Sequence, residues 1–309
     1  MQFDDIFKYV HILSILSFIY MLITVLLVWK MYKVYHSSRT IYKSIVVHQC
    51  LFKTFIWMQV ANLSFFIFDN IVFRLPSTGY FTDLCDSIAP SHFLKLLYMG
   101  QLFTNYSSIY YSFLFCFIRL IMIFYAVTIN ESFRNFQICK KIFSFFIPFT
   151  LVSPICADFY MIVAPGACRR LKPPYPYGSI SISFGETLFN IRTDNFMLGL
   201  TFLAPLAILF LNILLVFKVR RILFERKMNS SKKQRKSHIS LTLTTLAIMI
   251  QHLASGAKTV IGIVRPELVP YALIIRHRLI DLGMISVPWI FYISHPMFHE
   301  KTARVSSFT

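Results

Sequence analysis

Three charged side chains stand where this chain offers them least water. Arg119, Lys258 and Asp281 each lie inside a long run of Phe, Leu, Ile and Val. A lone charge in hydrocarbon costs about 3 kcal/mol or more, so such groups pair, line a wet cavity or reach for lipid headgroups. Lys258 falls about five residues inside one end of its apolar run, and Asp281 about ten inside the next; at 1.5 Å per residue the depths differ by roughly 8 Å. That is within reach of a lysine, so two arrangements are open: a Lys258–Asp281 ion pair, or two groups hydrated separately in one cavity. Arg119 ends a second pattern. Gln101, Asn105, Ser108, Ser112, Cys116 and Arg119 recur at steps of three and four, which keeps them on one side of a helix. Near one end of that helix, Arg119 either snorkels to headgroups or pins a resting conformation.

Catalytic chemistry finds no footing. There is no H-E-x-x-H, no G-x-G-x-x-G, no P-loop and no paired-cysteine zinc spacing. The nine His are scattered, and His48, His238 and His252 read as polar lining or boundary residues. The chain is expected to be no enzyme and to carry neither metal nor cofactor.

The elements that must hold these residues follow from composition. Of 309 residues, 56% are apolar and only 14% charged, where a soluble domain has about 25% charged; mean hydropathy is +0.62. Apolar runs fall near residues 9–31, 45–68, 92–127, 142–163, 195–217, 238–263 and 271–294, each long enough for a helix to cross a bilayer. The expected fold is an all-α membrane protein, a seven-transmembrane helix bundle forming a single domain. Asp4 and Asp5 replace the basic start of a cleaved signal peptide, so the first run reads as an uncleaved span. No internal repeat of broken helices suggests an inverted-repeat transporter. The net charge of +18 has no soluble module through which to meet nucleic acid. It sorts by topology instead: eighteen of the 31 Lys and Arg fall on one set of loops and ten on the other, which places the first set in the cytoplasm and the N-terminus outside.

That orientation gives the loops meaning. Of six cysteines only Cys85 and Cys168 face the oxidising side, where they either form a bridge or stand as two separate thiols. A bridge would pin the loop 164–194 over the mouth of the bundle. Within it, Ser179 to Phe184 alternates with period two, the pattern of a strand, so a hairpin or an irregular loop can result. On the cytoplasmic side, the basic loop 218–237 first continues the preceding helix through Arg220, Arg221, Arg226 and Lys227. From Asn229 to Ser237 it is too polar to fold alone. Attraction to anionic membrane lipids accounts for part of this charge; a docking surface for a cytoplasmic partner would use it too.

The ordered set of motifs resembles one family. Leu75-Pro-Ser-Thr-Gly79, Cys85, Pro90-Ser-His-Phe-Leu94, Arg119, Cys168-Arg-Arg-Leu171, Pro176-Tyr-Gly-Ser-Ile180 and Leu241-Thr-Leu-Thr-Thr245 are similar to the nematode serpentine class U chemoreceptors, the Sru family of the Srg superfamily. The resemblance spans nearly the whole chain. It implies a G-protein-coupled receptor at a plasma membrane, often that of a sensory-neuron cilium, which detects an external small-molecule cue and signals to a heterotrimeric G protein. Gln101, Asn105 and Ser108, with Lys258 and Asp281 opposite, are then the expected ligand-binding residues, the alternative being helix-to-helix hydrogen bonds of about 0.6 kcal/mol each. Arg119, Arg220, Arg221, Arg226 and Lys227 would mark the G-protein side. Three departures from the wider rhodopsin-like pattern bear on the switch. Phe117-Ile118 stands where an acidic residue would precede Arg119, the sixth span has no proline, and Val287-Pro288 opens the seventh-span motif. The alternative class is a small-solute transporter or channel.

Overall fold

The computed structural model describes residues 3–38, 49–125, 132–159, 164–175, 178–184, 193–225, 232–295 and 298. Its helices are α1 (Phe3–Ser38), α2 (Gln49–Asp69), α3 (Thr82–Ser87), α4 (His92–Tyr125), α5 (Ser132–Ala157), α6 (Thr193–Glu225), α7 (Lys232–Val264) and α8 (Val269–Ser294). All but the short α3 coincide with an apolar run. Three stretches, Ser14–Ser37, Cys50–Thr78 and Ile239–Val264, are by themselves long and apolar enough to cross a membrane.

The burial pattern is that of a bundle in lipid. On α1 the large side chains Ile15, Leu22 and Leu26 point outward, while Ser14, Ser17 and Thr24 are buried. A soluble helix would bury the large ones. In hydrocarbon nothing drives leucine inward, and small residues let helices approach. The interior is built around α4, which packs on α2, α5, α6 and α7. Phe55, Phe115 and Phe291 meet in its lower half, the Phe55 and Phe291 rings stacking 4.6 Å apart. Asn105, Ser108, Ser112, Cys116 and Arg119 are all buried, so the polar stripe turns inward as its spacing predicts. On α8, Gly283 lets α7 pass closely, since a Cβ there would lie 2.8 Å from that of Gln251.

Two boundaries differ from expectation. The basic segment from Lys232 to Ser237 is helical and begins α7; Lys, Gln and Arg are good helix formers, and the apolar turns after them supply the nucleus. Helix α2 does not stop near Phe68. It runs on through a π-helical turn, Asn70–Arg74, and a 3₁₀ turn, Pro76–Thr78, to Gly79 at φ +85°.

At that end the chain folds a hairpin over the bundle. Strand β1 (Gly166–Arg170) pairs antiparallel with β2 (Ile180–Phe184), Cys168 facing Ile182. Ser91 and Gly166 exchange backbone hydrogen bonds of 2.9 and 3.0 Å. Only glycine fits there, because a Cβ on Gly166 would sit 2.1 Å from the Lys95 nitrogen. Ser179 Oγ donates to the Ser77 carbonyl at 2.6 Å, and Thr82 donates to the Gly178 carbonyl. The Cys85–Cys168 disulfide ties β1 to α3 across 83 residues. Cross-linking so long a loop stabilises by about 4 kcal/mol in the chain-entropy account, by restricting the unfolded chain. Cys85→Ser is therefore expected to lower the thermal midpoint of detergent-solubilised protein, and Cys85→Ser/Cys168→Ser to lower it no further; equal midpoints for wild type and both variants would show the bridge to be energetically idle.

Candidate functional site

The site grows from the far end of α2. Ile71, Val72 and Phe73 let the helix continue past Asp69, and the wide turn closes with Leu75 N donating to the Asn70 carbonyl at 2.9 Å. The i→i+5 repeat brings residues five apart together. Arg74 Nε thereby donates to Asp69 Oδ2 at 2.6 Å. The same guanidinium reaches α8, where Nη1 donates to Asp281 Oδ2 at 2.9 Å and Nη2 lies 2.8 Å from Oδ1. This two-pronged contact suits the planar fork of arginine. Gln101 Nε2 of α4 donates to Asp69 Oδ1 at 2.7 Å, and Tyr20 of α1 donates to Asp281 Oδ2. His277 Nε2 stands 3.5 Å from Asp69, and Arg278 3.6 Å from Asp281. Four helices meet at one buried charge cluster, with Asp69 0%, Asp281 3% and Arg74 4% exposed.

Beside the cluster lies a cavity of about 180 Å³. Its polar wall is Asp69, Gln101, Asn105, Lys258, Arg276 and His277; Phe65, Phe73, Tyr98 and Leu102 form much of the apolar wall. The hairpin roofs Phe73 with Tyr175, their rings edge to face at 5.7 Å. Burial pushes the Tyr175 phenol above its ordinary value, so the roof presents a neutral hydroxyl near pH 7. Among the described residues no group of His, Cys, Asp and Glu could hold a metal ion.

The expected ligand-binding residues separate. Gln101, Asn105 and Lys258 line the cavity together. Ser108 lies deeper, donating to Asn62 Oδ1 and accepting from Gln251 Nε2 at 3.2 Å, a contact that joins α2, α4 and α7. Asp281 is outside the cavity wall, and its ion pair is with Arg74, 207 residues earlier, where depth alone left a pair with Lys258 or separate hydration open. The extension of α2 beyond Phe68 is the reason: it buries an arginine assigned to a loop. Asp69, Arg74, Arg276 and His277 are thus site residues that sequence reasoning missed, the basic three having passed as topology-setting or scattered residues. The one signal was the apolar Ile71-Val72-Phe73 between Asp69 and Arg74.

At the opposite end of α4, Arg119 is 1% exposed and so does not snorkel. It grips α7 instead. Nη1 donates to the Leu241 carbonyl at 2.5 Å and to Thr245 Oγ1 at 2.9 Å, and Nη2 to Thr242 Oγ1 at 2.7 Å. The 14 residues from Asn105 to Arg119 span roughly 21 Å of helix, so one rod joins the cavity to this clasp. Arg220 and Arg221 fall on α6; Arg226 and Lys227 lie outside the described residues.

Seven long helices among the described residues, outward apolar faces and an inward polar cavity define an all-α, seven-helix membrane protein of the GPCR-like type. The profile of the family described as serpentine type 7TM GPCR chemoreceptor Sru matches residues 1–301, and the chain belongs to that family. It is similar to serpentine receptor class U-26 of Caenorhabditis elegans, with 33% identity over 204 residues, covering 64% of this chain and 67% of that relative. The family is one of receptors, not of enzymes.

Proposed function

We propose that this chain is a chemosensory receptor that binds a small-molecule cue in the cavity under the hairpin and signals to a heterotrimeric G protein at the Arg119 end. The carrying observation is that α4 lines the cavity with Gln101 and Asn105 and holds α7 with Arg119. A ligand that prefers one packing of α4, α7 and α8 shifts a two-state bundle by its differential affinity alone. With the basic loops inside and the N-terminus outside, the cavity faces the exterior of a plasma membrane, in this reading that of a sensory cilium. Ser108 and Asp281 act behind the ligand, through Gln251 and Arg74. The basic C-terminal part of α6 and the residues after it, Arg226 and Lys227, meet the G protein and anionic lipid.

Ligand-dependent nucleotide exchange in cells expressing the chain tests this. Exchange that rises with a cue and disappears in Asn105→Leu is the expected result. Solute flux or current through reconstituted vesicles lacking any G protein, with no effect on exchange, would replace the receptor by a transporter or channel.

A further inference from the structure

Charge around the cavity identifies the chemistry of what enters it, provided the cavity is the cue site as proposed above. The carboxylate of Asp69, the acidic group on its wall, is engaged by Arg74 at 2.6 Å and Gln101 at 2.7 Å. Arg74 also serves Asp281, which has Arg278 3.6 Å away on its other side. Two carboxylates and two guanidiniums therefore already balance within the cluster. Arg276 is additional. It faces the cavity and makes no hydrogen bond or ion pair with any described residue, meeting Asp69 only through longer-range attraction. Lys258, which has an interaction of its own, stands on the same wall. A cation surplus in a half-enclosed, low-dielectric site favours a counter-anion far more than it would in water.

We infer that the cavity binds a small organic anion, a carboxylate gripped by Arg276 with its apolar body on Phe65, Phe73 and Leu102. The guanidinium fork matches a carboxylate with two parallel hydrogen bonds. Gln101 and Asn105 add neutral polar contacts at the deeper wall. At about 180 Å³ the space is below the roughly 300–1,000 Å³ of drug-sized pockets, so the ligand is a short-chain or single-ring acid. A cationic amine would meet the same surplus as repulsion.

Thermal unfolding of the purified full-length protein in lipid nanodiscs tests this with benzoate and hexanoate, set against benzamide, methyl hexanoate and benzylamine. A ligand that binds only the folded state raises the midpoint in proportion to its affinity. The acids should raise it and the neutral and cationic analogues should not. Arg276→Gln should weaken acid binding at least 30-fold, and Arg276→Lys should retain part of it. Both variants are first compared without ligand, so that a folding defect in one leaves the other as the test. Equal shifts from acid and amide, a shift from benzylamine, or acid binding undiminished in both variants would overturn the inference while leaving a small-molecule cavity in place. No shift with any probe would overturn the cavity itself as the cue site. Acid binding that never alters nucleotide exchange would preserve the inference and remove the receptor reading.

Discussion

Arg74→Ala is expected to destabilise the folded bundle by on the order of 5 kcal/mol, enough to abolish most surface expression. The change leaves two carboxylates, Asp69 at 0% and Asp281 at 3% exposure, without the guanidinium that held both. Breaking one buried ion pair by removing a partner costs about 3–5 kcal/mol, because the remaining charge is stranded in low dielectric. Here one residue strands two, and Gln101, Tyr20, His277 and Arg278 recover part of the loss. The pair itself need not be a large net stabiliser, since desolvation consumes much of its attraction. That asymmetry makes a second variant informative. Arg74→Ala/Asp281→Ala should be more stable than the sum of the single changes by about 2 kcal/mol, as expected for groups in direct contact. Thermal midpoints in detergent, read alongside surface labelling in cells, decide between them; strictly additive losses would mean that Arg74 and Asp281 touch without coupling.

The second large effect concerns signalling. Thr242→Val/Thr245→Val removes two of the hydroxyl acceptors of Arg119 while preserving side-chain shape. Hydrogen bonds to a charged group contribute about 1.5–3 kcal/mol each, so the α4–α7 clasp should weaken by about 4 kcal/mol, leaving the Leu241 carbonyl as an acceptor. If the clasp holds the resting state, agonist-free nucleotide exchange rises steeply; 4 kcal/mol corresponds to nearly a thousandfold in an equilibrium constant. Arg119→Met, which deletes the charge and keeps the bulk, should fold and should lose cue-driven exchange. A fall in thermal midpoint with basal exchange unchanged would make the clasp structural only. This clasp also answers the missing acidic residue before Arg119. Its partners are hydroxyls and a carbonyl on α7, within the Leu241–Thr245 motif.

Much of the architecture was legible in the chain because a bilayer imposes simple rules. A helix in hydrocarbon must be about 20 apolar residues long, so the runs read directly as helices. Polar groups in that setting must face inward, so the stripe on α4 was visible as spacing alone. Counting the thiols expected in an oxidising compartment left Cys85 and Cys168 as a bridge or as two separate thiols, and the alternation in Ser179–Phe184 left a hairpin or an irregular loop; the structure has the bridge and β2. Helix ends were harder. The segment Asn229–Ser237 is too polar to fold alone, and its described part, Lys232–Ser237, is helical as the start of α7, because Lys, Gln and Arg extend a helix nucleated beyond them.

The charge cluster obeyed no local rule. Asp69 and Arg74 are five apart, a spacing that an α-helix does not bring into contact and a π turn does. Arg74 and Asp281 are 207 residues apart, so their pairing rests on which helices become neighbours. The same dependence decided the place of Lys258, for which a pair with Asp281 and separate hydration in one cavity were both open; it lies on the cavity wall. By itself, then, the amino-acid sequence determined that this is a helical membrane bundle with an inward polar stripe, since solvent and period act on each segment separately. Only the tertiary structure decided which charges meet, because the energy of a buried charge is set by the few ångströms to its partner, and those distances exist only once α1, α2, α4 and α8 have packed.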